Sequence, residues 1–143
     1  MRKSPYLVKS RPPTRLVLKG PKIMVLIVEG DGAFRKFLHT LFETCGAFGT
    51  CVKAKNGAEA LLTAKQLSPS LAILDFSMPE MDGLQLARKL WSIAPELPIF
   101  LLTPEKDLEV EKEALSSGIT AVFSKLDDMA TLVANARAVC GID

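Results

Sequence analysis

Histidine is nearly missing from this chain, with a single one, His39, in 143 residues. The three cysteines, Cys45, Cys51 and Cys140, form no CxxC pair, and each falls within an apolar pattern. A structural zinc site therefore has no ligand set. An odd number of scattered thiols reads as small buried hydrophobes in a reducing compartment, not as a disulfide frame. No apolar run approaches the roughly 20 residues of a membrane-spanning helix, and the basic N-terminus lacks the apolar core of a secretory signal. No Gly-rich GxGxxG loop follows the first apolar run, which argues against dinucleotide or flavin binding. These absences predict a cytoplasmic chain with no membrane insertion, and the length predicts one domain with its own core.

Acidic residues are absent from the first 22 positions, which hold Arg2, Lys3, Lys9, Arg11, Arg15, Lys19 and Lys22. The remaining eleven basic and sixteen acidic residues give the body a charge of −5, so the net charge of +2 conceals a basic arm on an acidic domain. Such an arm is either a solvated tail or a contact for nucleic acid, an anionic membrane or an acidic protein face. Lys19-Gly20-Pro21 reads as a turn, which divides the chain into a basic extension (1–21) and a domain (22–143).

Within the domain, short apolar runs alternate with helical periodicity. Ile23 to Val28 reads as a first strand. Phe34, Phe37, Leu38, Leu41, Phe42 and Cys45 then form a helical stripe, with Asp31 as N-cap and Gly46 as stop. His39 lies off that stripe and is expected to be exposed. Thr50 to Ala54 reads as a weaker strand, Ala58 to Leu67 as a helix, and Leu71 to Leu74 as a strand apolar on both faces. Gly83 to Ile93 is helical, Pro98 to Leu102 a strand, and about Glu105 to Ser116 a helix with five acids. Ala121 to Ser124 is a fifth strand, and Asp127 or Asp128 caps a last helix striped by Met129, Leu132, Val133, Ala136, Val139 and Cys140. Five β–α units with short connections predict a doubly wound α/β fold, a parallel sheet with helices on both faces.

In such a sheet the carboxyl ends of the strands share one edge, where ligands bind. The first strand ends in Glu29 and Asp31, the third in Asp75, the fourth in Thr103 and the fifth in Lys125. Asp75 alone reads equally well as a ligand-site acid or as a solvated acid or helix cap. Carboxylates together suit a hard divalent cation such as Mg²⁺. A hydroxyl and an ammonium opposite suit the oxygens of a phosphoryl group, with Asp75 as nucleophile.

The segments E-G-D, L-D-F-S-M-P-E-M-D-G, L-L-T and F-S-K, in that order, resemble the receiver domain of two-component response regulators. The resemblance runs from about Lys22 to Cys140. It implies a flavodoxin-like fold with sheet order 2-1-3-4-5, and a histidine kinase or phosphotransfer protein that donates from phosphohistidine. By position it makes Asp75 the phosphoacceptor, the Ser77 carbonyl a Mg²⁺ ligand and Glu29 the holder of a water on the ion. Thr103 and Lys125 would contact the phosphoryl group. The chain would then be a phosphoacceptor in a phosphorelay and not a turnover enzyme. It would stand alone, because no output module follows before Asp143. Downstream proteins, or a second copy, would meet the face of the fourth helix, fifth strand and fifth helix. An acidic body without a recognition helix is not expected to bind DNA.

Four positions depart from the family pattern. Gly30 replaces a carboxylate that ligates Mg²⁺, and Asp31 beside it is either a partial substitute or only a helix cap. Weak Mg²⁺ binding follows. Pro104 replaces a residue whose N–H would reach the phosphoryl group. Leu126 replaces a proline with a cis bond, and a trans bond is expected here. Val122 replaces an aromatic switch. The alternative to phosphorylation is therefore a degenerate receiver that binds proteins without it. An Asp-nucleophile hydrolase is disfavoured, because Ser77 stands where such enzymes need a second acid.

Overall fold

The computed structural model describes residues 23–142, so the basic extension 1–21 lies outside the described residues. Its elements alternate as β1 (Met24–Val28), α1 (Gly32–Cys45), β2 (Thr50–Ala54), α2 (Gly57–Leu67), β3 (Leu71–Asp75), α3 (Gly83–Ile93), β4 (Ile99–Thr103), α4 (Leu108–Ser116), β5 (Ala121–Ser124) and α5 (Met129–Val139). All strand pairs are parallel and the order is β2-β1-β3-β4-β5. The expected doubly wound topology is therefore present.

The two-residue period of the strands divides the core into two layers. Leu26, Val28, Ala72, Leu74, Ile99 and Leu101 face α2, α3 and α4. Val25, Ile27, Leu71, Ile73, Phe100 and Leu102 face α1 and α5, where they meet Leu38, Phe42, Leu132 and Ala136. The central strands β3 and β4 are buried along their whole length, which is why they read as unbroken apolar runs. Among the described residues no helix is long and apolar enough to cross a membrane.

Every helix begins on an Asx side chain that accepts a backbone N–H: Asp31, Asn56, Asp82, Asp107 and Asp128. Each such cap is worth about 1 kcal/mol. Asp82 and Gln85 also bond reciprocally in a capping box. Asp128, not Asp127, caps α5. α4 starts later than its acidic run suggests, since Asp107 is its cap and Glu105 lies in the preceding loop. β4 is shifted by one residue, so that Thr103 belongs to the strand. His39 is not exposed as expected: its ring is 19% exposed, with Nε2 3.1 Å from the Cys51 carbonyl and Nδ1 3.4 Å from Glu43. The helical stripes are narrower than their patterns, because Phe37, Trp91, Ile93 and Val139 remain largely outside the core.

The loop from β3 to α3 closes on itself. Gly83 N–H donates to the Phe76 carbonyl at 3.0 Å, and Met81 N–H to Pro79 at 2.7 Å, while Glu80 adopts a left-handed φ of 70°. This closure brings helix α3 so near the sheet that a Cβ on Gly83 would lie 2.5 Å from the Asp75 carbonyl oxygen and 2.7 Å from Leu101 Cδ1. Gly83→Ala is therefore expected to lose roughly 1–3 kcal/mol of unfolding free energy in urea melts. The backbone behind Asp75 has no rotamer by which to yield.

Candidate functional site

The sheet places Glu29, Asp75, Thr103 and Lys125 at one edge. β1 and β3 are neighbours, so the acid just after β1 and the acid ending β3 lie side by side. Both are buried, at 1% and 3% exposure, where an unpaired carboxylate would be costly. Lys125, reaching across from the end of β5, supplies the pairing: its Nζ lies 3.1 Å from Glu29 Oε1 and 3.1 Å from Asp75 Oδ1. The hydrogen bond to Glu29 runs to Oε2 at 3.2 Å, so Oε1 faces the ammonium but accepts no hydrogen bond. Backbone donors complete the cradle. Ser77 N–H donates to Asp75 Oδ1 at 3.2 Å, Gly30 N–H approaches Oδ2 at 3.5 Å, and Asp31 N–H donates to Glu29 Oε2 at 3.1 Å.

Two buried carboxylates share one ammonium, and the imbalance appears in the proton affinity of Glu29. Burial, then the neighbouring Asp75, pushes Glu29 up to about 7, with the Asp31 N–H and Lys125 only partly opposing. Burial pulls the Lys125 ammonium downward, but Glu29 and Asp75 outweigh it and hold it above its ordinary value. The pocket thus favours one more positive charge, which suits a divalent cation. Glu29 Oε1, which accepts no hydrogen bond, and the Asp75 carboxylate are the oxygens that could face it.

Asp31 does not join them. Its Oδ1 accepts from Ala33 and Phe34 N–H at 2.9 and 3.3 Å and so caps α1. Capping, one of the two roles expected of it, is therefore present. Among the described residues no group of three or more His, Cys, Asp or Glu side chains converges as a cation site. Gly30 leaves room where a third acid would stand: a Cβ there would meet only Met78 Cγ at 3.7 Å and Asp75 Oδ2 at 3.9 Å. Thr103 is buried and its hydroxyl donates to the Glu105 carbonyl at 3.2 Å. The Lys125–Leu126 bond is trans, as expected. Val122 sits half-buried against the α2–α4 layer.

Three contributors escaped the sequence reading. Phe34, assigned to the α1 core stripe, also lies beneath Lys125, whose Nζ is 5.0 Å from the ring centroid. Arg35 Nη1 donates to the Glu29 carbonyl at 2.7 Å and fixes the end of β1. Asp127, a candidate helix cap, instead turns back to β5 and accepts from Ser124 N–H at 2.9 Å.

The response regulator receiver domain family matches residues 25–137. The chain belongs to that family. A putative transcriptional regulator of Pseudomonas aeruginosa is 36% identical over 115 residues, covering 80% of this chain and 55% of the relative. A protein-glutamate methylesterase/protein-glutamine glutaminase of Myxococcus xanthus is 30% identical over 109 residues, covering 76% of this chain but 31% of the relative. The chain thus spans about half, or less, of the curated relatives it matches. The receiver domain of Francisella response regulator 1452 superposes with a TM-score of 0.77 at 25% identity, covering 84% of this chain and 98% of that one. Residues 25–137 are thus a response regulator receiver domain with a flavodoxin-like fold. Receivers are phosphoacceptors that use Mg²⁺ and act between histidine kinases and downstream effectors.

The raised Glu29 carboxyl has a consequence with a definite sign. Its proton is bound more tightly in the folded chain, so its contribution to stability is complete below about 4.5 and is lost as pH climbs through about 7. Glu29→Gln removes that dependence. In Mg²⁺-free buffer, the stability of the variant relative to the parent should rise by on the order of 2 kcal/mol between pH 5 and pH 8, as read from urea melts.

Proposed function

We propose that Asp75 is the phosphoacceptor of this receiver, taking its phosphoryl group from a phosphohistidine on a histidine kinase or phosphotransfer protein. The observation that carries this reading is the Lys125 ammonium, 3.1 Å from Asp75 Oδ1 on a carboxylate that is 3% exposed. Asp75 attacks phosphorus. A P–O bond forms as the P–N bond breaks, and the departing imidazole keeps the electron pair and regains a proton from solvent. Lys125 then faces the new phosphoryl oxygens, with the Ser77 and Gly30 N–H groups close by. Thr103 would exchange its bond to Glu105 for one to the phosphoryl group. Pro104 offers no N–H, so one donor fewer reaches the oxygens.

Bound Mg²⁺ would offset the charge of the phosphoryl oxygens. Glu29, Asp75 and the Ser77 carbonyl would hold it. With two carboxylates in place of three, its affinity would be low. The domain would begin near Lys22, after the basic extension 1–21, in a cytoplasmic protein. Its outgoing partner, or a second copy, would bind the α4–β5–α5 face, where Leu108, Leu115 and Leu126 are 71%, 72% and 84% exposed.

Intact-mass measurement after acetyl phosphate treatment tests the acceptor. One phosphoryl mass that needs Mg²⁺ and is lost in Asp75→Asn is the expected result. No gain at high Mg²⁺ would identify a receiver that acts without phosphorylation. Gly30→Asp tests the site's weakness directly. The side chain fits the open space beside Asp75, and calorimetric Mg²⁺ affinity should rise about ten-fold, the scale on which even outer-shell partners act.

A further inference from the structure

Lys125 must reach two carboxylates on other strands, so the loop that carries it has to be held still. Packing does not hold it: Leu126, the next residue, is 84% exposed. A ring of hydrogen bonds does. Ser124 and Asp127 close a turn, with Asp127 N–H donating to the Ser124 carbonyl at 3.0 Å and Ser124 N–H donating to Asp127 Oδ2 at 2.9 Å. Lys125 and Leu126 are the two central residues of that turn. The Ser124 hydroxyl, 6% exposed with its residue, accepts from Leu126 N–H at 3.0 Å and donates to the Pro104 carbonyl at 3.1 Å. Lys125 N–H donates to the Thr103 carbonyl at 2.8 Å, which ties the same turn to β4.

We propose that Asp127 is a positioning residue for Lys125: its carboxylate clamps the β5 turn and so aims the ammonium between Glu29 and Asp75. The inference rests on the reading of Asp75 as phosphoacceptor for its effect on rate, but its geometric content stands apart from that reading. Asp127 is spare for this purpose because Asp128 already caps α5 through Ala130 N–H at 3.0 Å. Removing the carboxylate leaves the buried Ser124 N–H without its acceptor, and the turn then opens more readily. Asn keeps a carbonyl oxygen at the same place and restores the bond without the charge.

Two readouts on the full chain test the proposal. In acetyl phosphate kinetics, Asp127→Ala should lower the maximal phosphorylation rate about five- to ten-fold, the scale of one lost hydrogen bond, with little change in half-saturating donor. Asp127→Asn should stay within about two-fold of the parent, well below that loss. In a Lys125→Ala background, Asp127→Ala should have no further effect. Nitrogen-15 spectra of the lysine ammonium groups give the second readout, independent of phosphorylation. The Lys125 signal, slowed in exchange by its two carboxylate partners, should broaden in Asp127→Ala and return in Asp127→Asn. An unchanged Lys125 signal in Asp127→Ala overturns the proposal, as does an equal loss of rate with Lys125 absent. If the parent takes no phosphoryl group, the Asp75 reading fails and the spectra alone decide the role of Asp127.

Discussion

A single ammonium held between two buried carboxylates organises the functional edge of this molecule. Glu29 and Asp75 belong to adjacent strands and are almost fully withdrawn from water. Without Lys125 they would repel one another in a medium that screens poorly, and removing one partner of such a buried set commonly costs about 3–5 kcal/mol. Each group therefore fixes the others. The β1 end is drawn toward β3, the β5 turn is drawn inward over Phe34, and the backbone donors at Gly30, Asp31 and Ser77 are drawn around the acids. The arrangement still carries one negative charge too many, and Glu29 shows the strain through its raised proton affinity.

Much of this was readable in the sequence because the relevant signals are local. Unbroken apolar runs announce strands covered on both faces, and β3 and β4 are buried throughout. Asx residues before apolar stripes announce helix starts, and each of the five helices among the described residues has one. Parallel topology then carries Glu29, Asp75, Thr103 and Lys125 to one edge without further information. What remained hidden depends on direction, not position. Asp31 and Asp127 are both acids near strand tips, yet one faces its helix and the other its strand. Phe34 lies on an apolar stripe and also supports a cation. His39 falls off the stripe but folds back to the β2 carbonyl of Cys51. Side-chain direction is set by contacts distant in sequence, and a linear pattern carries none of them.

The departures from the family pattern are not independent of one another. Proline at 104 removes a donor, but its carbonyl receives the Ser124 hydroxyl. Leucine at 126 forgoes the family's proline, and its N–H is taken by the same hydroxyl. The tips of β4 and β5 are thereby stitched together by Ser124. Valine at 122 leaves no ring to rotate.

The loop after Asp75 has one further implication. Its neck is fastened where Gly83 meets Phe76, and its crown at Pro79 and Glu80 projects into solvent. Ser77 stands inside this ring and gives its N–H to Asp75 Oδ1 at 3.2 Å, so the closed neck keeps one donor on the acid. Solvent-facing residues at the crown and the buried acid thus belong to one closed loop, a few positions apart.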